Sequence, residues 1–270
     1  MDDETNWGNW WPSDSALVLL SKENKEIFYK YKNYKYKIIT NTPTATSMLI
    51  EHDGKTALSN FQLIALNRDS TAVIWKGEMP STNNPVERIK NYLSAVETQR
   101  NISKILQSAK IFLEKTENIY GINILQQQVK DTILISTKIT CKSSPPTEEI
   151  YSLIKSLRAY ILANGAVETN FPMLNITKDN SYNVMIAIPI NRIIPATGKF
   201  VLKRMIPGKI LVTEVKGGPY AAEKALRQLT IFMEDNYLTS PAIPFQSLVT
   251  ERSEEPDTSK WITKIYFPVF

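Results

Sequence analysis

KILVTEVKGGPY, residues 209–220, is the stretch on which the reading of the chain turns. Ile210 and Val212 alternate with Leu211 and Thr213, a period of two that predicts a strand. Gly217-Gly218-Pro219 interrupts it, and Tyr220 opens AAEKALRQLTIFMEDNY, where Ala222, Leu226, Leu229 and Met233 recur at helical spacing. A strand therefore runs through a glycine hinge into an amphipathic helix. An aromatic side chain stands at the hinge, where a groove would begin.

Downstream, residues 244–249 (PFQSLV) and 261–269 (WITKIYFPV) read as two further strands, separated by the polar ERSEEPDTSK. The order strand, helix, strand, strand also fits Ile122 to Ile190. There INILQQQVKDTILISTKIT reads as a strand, a helix starts at Pro145-Pro146-Thr147 and stops at Asn164-Gly165, and FPMLNIT and SYNVMIAIPI follow. Pro172 matches Pro244, and Ile188-Pro189-Ile190 matches Phe267-Pro268-Val269. Self-similarity over units this long predicts one body of two related halves. Their strands would share a curved sheet with both helices on one face, leaving a concave groove of the kind small ligands occupy.

Residues 122–270 resemble the GyrI-like, or bacterial transcription-activator effector-binding, domain, the ligand-sensing module of AraC-type and MerR-type regulators. The paired units, the GGPY hinge with its helix, and the terminal W-x-T-K-I-Y-F-P-V carry the resemblance. It implies a bacterial small-molecule binder. In that family the closing strand commonly reads T-E-I-Y-x-P, and its glutamate meets cationic aromatic ligands. Lys264 stands at that position here, and Met185 at the matching one in the first copy. An ammonium repels cations as a carboxylate attracts them. The expected ligand is therefore a small lipophilic molecule, neutral or anionic. Glu214, in phase with Ile210 and Val212, would restore a negative centre if it faced the groove; alternatively, it pairs with Lys264 outside it. Tyr220, Trp261, Tyr266, Tyr182 and Phe171 are the candidate aromatic lining, with Tyr220 and Trp261 at the groove's ends.

The first 121 residues read differently. Three tryptophans crowd WGNWWP, and EIFYKYKNYKYKII alternates tyrosine with lysine, slipping one place at Asn33. That pattern fits a strand or bulged hairpin with Tyr on one face; the alternative is a base-stacking surface. TATSMLIE, TALSNFQLIAL and STAVIWKGEMP read as strands joined by HDGK and NRDS turns. After a break at residues 80–85, a helix is expected from Val86 to about Glu117, with Ile89, Leu93, Val96, Ile105, Ala109 and Phe112 as its stripe. A meander followed by a long helix is similar to the C-terminal part of the START-like polyketide cyclase/dehydrase (SRPBCC) superfamily, a helix-grip fold around a lipophilic cavity. That superfamily opens with a strand and two short helices, which are missing here. The expected architecture is α+β: residues 1–121 a helix-grip domain, either cut at its start or missing an edge strand, and residues 122–270 the effector-binding domain.

At 270 residues with 43% hydrophobic and 22% charged, two cores are affordable. The net charge of +5 comes mostly from beyond Gly121 and forms no dense basic run, so no nucleic-acid partner is expected. A helix-turn-helix pattern is likewise absent ahead of residue 122. Cys141 and His52 are each the only residue of their type, which argues against a disulfide, a histidine metal site or a catalytic triad. No cofactor is expected. The longest apolar runs, such as ALVLL, are too short to span a bilayer, and MDDE is no signal peptide, so the expected location is the cytoplasm. The leading function is noncatalytic sensing or sequestration. The alternative is a hydrolase or detoxifying enzyme in the same groove, implied by GyrI-like hydrolases, with Glu214 and Tyr220 as its remaining actors.

Overall fold

The computed structural model describes residues 4–12, 17–20, 26–67, 70–78, 82–130 and 132–270. The chain divides into two units, Met1–Lys115 and Thr116–Phe270, both mixed α+β with antiparallel sheets. MDDE, ALVLL, the NRDS turn and the break before Pro85 fall partly outside the described residues.

The first unit is a six-stranded meander in sequential order: β1 (Leu17–Leu20), β2 (Glu26–Tyr31), β3 (Tyr34–Asn41), β4 (Ala45–His52), β5 (Lys55–Asn67) and β6 (Ser70–Gly77). The slip at Asn33 is a tight hairpin turn rather than a bulge. Lys32 takes φ +52, and Tyr31 pairs with Tyr34 and Tyr29 with Tyr36, so all four tyrosines stay on one buried side. Buried tyrosines cannot stack on bases. Asp53-Gly54 turns β4 into β5 with positive φ at both residues.

Helix α1 (Pro85–Leu113) begins at Asn84, whose Oδ1 accepts from the amide of Val86 at 3.0 Å, with Pro85 in the first turn. Only its second half packs as expected. Ile102, Ile105 and Ala109 join the core, while Ile89 and Leu93 are 63% and 61% exposed. Thr98 and Asn101, polar side chains, occupy the buried side of the turns between. Trp7, Trp10 and Trp11 complete that core. Trp11 stacks on Tyr29 with centroids 4.8 Å apart, and its Nε1 donates to Lys30 O at 2.9 Å.

The second unit is one eight-stranded sheet. After a short helix, α2 (Thr116–Tyr120), come β7 (Leu125–Gln128), β8 (Ile133–Cys141), α3 (Thr147–Ala163), β9 (Met173–Lys178) and β10 (Tyr182–Pro189). Then follow β11 (Val201–Arg204), β12 (Lys209–Lys216), α4 (Pro219–Asp235), β13 (Phe245–Leu248) and β14 (Ile262–Val269). The spatial order is β11-β8-β10-β9-β13-β14-β12-β7. The strand expected through residues 122–140 is two strands at distant positions: β7 pairs with β12 and β8 with β10. Past the last β7–β12 pair, Gln128 with Lys209, Val129 N still donates to Gly208 O at 2.9 Å.

Registers place Thr137, Ile186, Leu174, Gln246, Ile265 and Thr213 in one row on one face. Both helices cover that face. Helix α3 buries Ile150, Ile154, Leu157 and Ile161 against Ile135, Val184, Ile186 and Ile188, and α4 buries Ala222, Ala225 and Leu229 against Leu211, Ile265 and Val269. Gly217 makes the tight passage from β12 into α4 possible. It holds φ +132, donates to Trp261 O at 2.8 Å, and a Cβ there would meet the Ala221 Cβ at 3.0 Å.

Truncating Ile105, fully buried, to alanine should cost about 2–4 kcal/mol of stability. Leu93→Ala should stay within about 0.5 kcal/mol. Urea unfolding of the two variants checks this; equal losses would mean that the first half of α1 is packed too.

Candidate functional site

On the face opposite the helices, the same registers line up a second set of side chains. One row runs Ser136, Ala187, Met173, Ser247, Lys264, Glu214, and the next runs Lys138, Met185, Asn175, Phe245, Tyr266, Val212. No helix packs on this face among the described residues. Two connecting segments rise over it instead, and between them lies a cavity of about 290 Å³.

Its floor is apolar: Leu134, Met173, Met185, Ala187 and Phe245. One wall is the segment 203–209 and the other is Pro241-Ala242-Ile243, with Pro268 to Phe270 closing the end. The walls are pinned by main-chain bonds. Met205 N donates to Thr132 O and Val129 N to Gly208 O, both at 2.9 Å, while Phe270 N donates to Thr239 O at 3.0 Å. Ser240 Oγ lies 2.7 Å from Ala242 O and 2.8 Å from Pro268 O. Asn175 Nδ2 donates to Pro244 O at 2.8 Å, tying the floor to the second wall. A smaller hollow of about 60 Å³ adjoins the first across Val129, Met173, Met205 and Phe245, and reaches Ile210 and Tyr266.

The eight strands contain a single acidic residue, Glu214. Glu214 shares the open face but meets Lys264 at 3.6 Å, beyond the cavity lining. No Asp or Glu belongs to the lining; of its basic residues, Lys203 is opposite Leu134 on this face, while Arg204 is in phase with Leu202 and Lys209 with Leu211 on the helical side. Lys203 Nζ rests 2.8 Å from the Met185 sulfur. Among the described residues no cluster of His, Cys, Asp and Glu could hold a metal, and no helix is long and apolar enough to cross a membrane.

The eight residues singled out in the sequence separate into three groups. Met185 lines the cavity, and Tyr266 lines the adjoining hollow, stacked on Phe245 with centroids 5.0 Å apart. Lys264 and Glu214 pair beside them on the same face. Tyr182, Trp261, Tyr220 and Phe171 line neither space. Tyr182 is in phase with Val184, on the helical face. Trp261, in phase with Ile265, is buried, its Nε1 donating to Glu255 O and the Arg252 guanidinium 4.7 Å above its ring. Burial holds that guanidinium below its ordinary basicity. Tyr220 sits at the start of α4, 71% exposed, near Arg227. Phe171 precedes β9 and is 42% exposed.

Sequence reasoning missed both walls. Their composition, VLKRMIPGK at 201–209 and PAI at 241–243, carries no period. The one available signal was an apolar, basic segment between the two helical units that neither copy absorbed.

No family model matches the chain, and no curated protein matches it. Several solved structures are similar in part. An EcmrR–DNA complex covers 69% of this chain and 72% of its own at 18% identity and a TM-score of 0.49. The EcmrR C-terminal domain covers 55% and 98% at 19% identity and 0.48. A hydrolase from Listeria innocua covers 54% and 91% at 14% identity and 0.41. At these values the likenesses decide neither family nor activity.

Because Lys264 is paired outside the lining, Lys264→Met should change affinity for a neutral cavity ligand by less than about twofold, and stability by under about 1 kcal/mol. Titration and thermal melting of the variant check both. A tenfold change in affinity would place the ammonium at the ligand.

Proposed function

We propose that the second unit is a GyrI-like effector-binding domain, built from two copies of a strand-helix-strand-strand unit, that binds a small lipophilic molecule without transforming it. The ligand is neutral or anionic, and binding serves sensing or sequestration. The observation that carries this reading is the cavity itself, whose floor of thioether, aliphatic and aromatic groups is pinned open and has no acidic side chain in its lining. Its volume of about 290 Å³ is close to the lower end of the range typical of ligand pockets, roughly 300–1,000 Å³. The site residues proposed are Met185 and Tyr266 with Met173, Ala187 and Phe245, while Lys264 and Glu214 hold each other at its edge.

Binding is favoured over turnover by the same inventory. General acid or base work needs an ionisable group within hydrogen-bond reach of the substrate. Glu214 is engaged by Lys264, and Tyr220 stands exposed on the helical side of the sheet. The first unit we read as a short relative of the START-like helix-grip fold, on the strength of its meander and long helix. Its interior is filled by aromatic rings, and the hollow beside Tyr34 and Asn91, about 30 Å³, suits one water rather than a ligand.

A neutral fluorophore that brightens in apolar surroundings, such as N-phenyl-1-naphthylamine, should bind the whole protein saturably. Ala187→Trp, filling the floor, should weaken it by about tenfold or more while the melting transition is retained. Met185→Trp, nearer the mouth, serves if the first variant is unstable. Unsaturable binding, or wild-type affinity in a folded tryptophan variant, would remove the cavity from consideration. Tetraphenylphosphonium binding more tightly than the neutral probe would reverse the charge assignment.

A further inference from the structure

Three thioethers line the cavity, and they are not equivalent. Met173 is buried, 8% exposed, whereas Met185 and Met205 are half-buried. Met48 and Met233 are shut into cores beneath helices. Met205 belongs to the wall, while Met185, on β10, is part of the floor. The Met185 sulfur lies 2.8 Å from Lys203 Nζ, and Lys138 is opposite Met185 in register on the same face. A thioether is a weak acceptor, so the ammonium gains little from that contact. One added oxygen on the sulfur would change this.

We infer that Met185 is an oxidation site that controls the cavity: a peroxide converts its thioether into a sulfoxide, Lys203 takes the new oxygen, and the floor loses its hold on a lipophilic ligand. This rests on the cavity being the binding site, and supplies the regulation of that site. With hydrogen peroxide, the O–O bond breaks as an S–O bond forms. The sulfur gives up two electrons, and the second oxygen leaves as water, carrying the proton of the oxygen transferred. Sulfoxide formation follows exposure, which puts Met185 ahead of the buried Met173, Met48 and Met233. A buried sulfoxide without a partner destabilises the protein around it. At Met185 the partner is already in place: a charge-assisted N–H···O bond replaces the contact with sulfur, so the fold is kept. The ligand is disfavoured instead, because a polar oxygen and its ammonium then occupy the floor where an apolar body would rest. A methionine sulfoxide reductase reverses the change, two thiols becoming a disulfide as the oxygen leaves as water.

The test uses the full chain, hydrogen peroxide and the neutral probe N-phenyl-1-naphthylamine. Over a peroxide time course, peptide mass spectrometry should show sulfoxide forming at Met185 at least about fivefold faster than at Met173, Met48 or Met233. Once Met185 is mostly oxidised, the melting transition should remain and the probe should bind about tenfold more weakly. Reductase with dithiothreitol should restore the affinity. Met185→Leu, from whatever affinity it starts, should show no change with peroxide, and Met185→Gln, a polar stand-in for the sulfoxide, should bind the probe weakly without it. Acetic anhydride reads the partner: labelling of Lys203 relative to Lys209 should fall about threefold on oxidation of wild type and stay level in Met185→Leu. Oxidation of Met185 no faster than of Met173 would overturn the assignment and leave the cavity reading standing. So would selective oxidation with unchanged affinity, or a peroxide effect that survives Met185→Leu. Equal labelling of Lys203 before and after would overturn the part given to the ammonium. Should the reduced protein fail to bind the probe, the cavity reading falls and the regulation with it.

Discussion

The second unit depends on one constraint, the period of two along an antiparallel strand. Side chains alternate between faces, and α3 and α4 together cover only one of them. On that face each buried leucine or isoleucine contributes roughly 1.5–3 kcal/mol, enough to hold both helices down. The same strands also carry apolar residues on the other face, where Leu134, Met173, Ala187 and Phe245 form their own small cluster. Antiparallel sheets commonly leave one face to water, but then that face reads polar. Here polar residues such as Ser136, Lys138, Asn175 and Ser247 surround an apolar patch, and the walls at 203–209 and 241–243 cover that patch only in part.

The first unit solves the same problem by filling the space. Trp7, Trp10, Trp11, Tyr29, Tyr36 and Trp75 interlock at centroid distances of 4.8 to 6.2 Å between sheet and helix. Some of those rings bring polar atoms inside without partners among the described residues, such as Trp7 Nε1, Tyr36 Oη and Trp75 Nε1, alongside both amide atoms of Asn101. Burial pushes the Tyr36 phenol far above its ordinary range, so it stays neutral. Large rings close a core at the cost of stranded donors. The methionines and alanine of the second unit do the opposite, leaving a hollow with no stranded group in its floor.

Periodic features were legible in the sequence, and features made by tertiary contact were not. The strands at 209–216 and 262–269, the helices from Thr147 and Pro219, and the glycine passage at 217 follow from alternation, helical spacing and a backbone angle closed to other residues. The break between β7 and β8 was hidden because QQQVKD has no Gly or Pro, and it is made only by tertiary pairing, β7 with β12 and β8 with β10. Tyr220 and Trp261 misled for a related reason. A hinge marks the end of a strand, not which face its neighbours take, and Trp261 follows the phase of Ile265 to the helical side. The α1 stripe was read as continuous, yet Thr98 and Asn101 stand between its exposed and buried apolar halves.

The charge of the groove was read from one substitution, and the physics lies in several. A lysine in place of an acid at 264 would by itself make the face positive. Glu214 opposite it in register, however, cancels that charge locally at 3.6 Å, and an exposed pair of this kind contributes little either way. If Lys264 were the only cation, the open face would be close to neutral. Over the cavity floor the positive charge comes from Lys203 of β11, its Nζ 2.8 Å from the Met185 sulfur, with Lys138 across the sheet from Met185 on the same face. The charge of the face therefore depends on which strand cations find an acid within reach, and Glu214 is the one acid the eight strands offer. Exposed strand residues such as Lys203 can change charge while the buried residues of the sheet keep the alternation on which the fold depends.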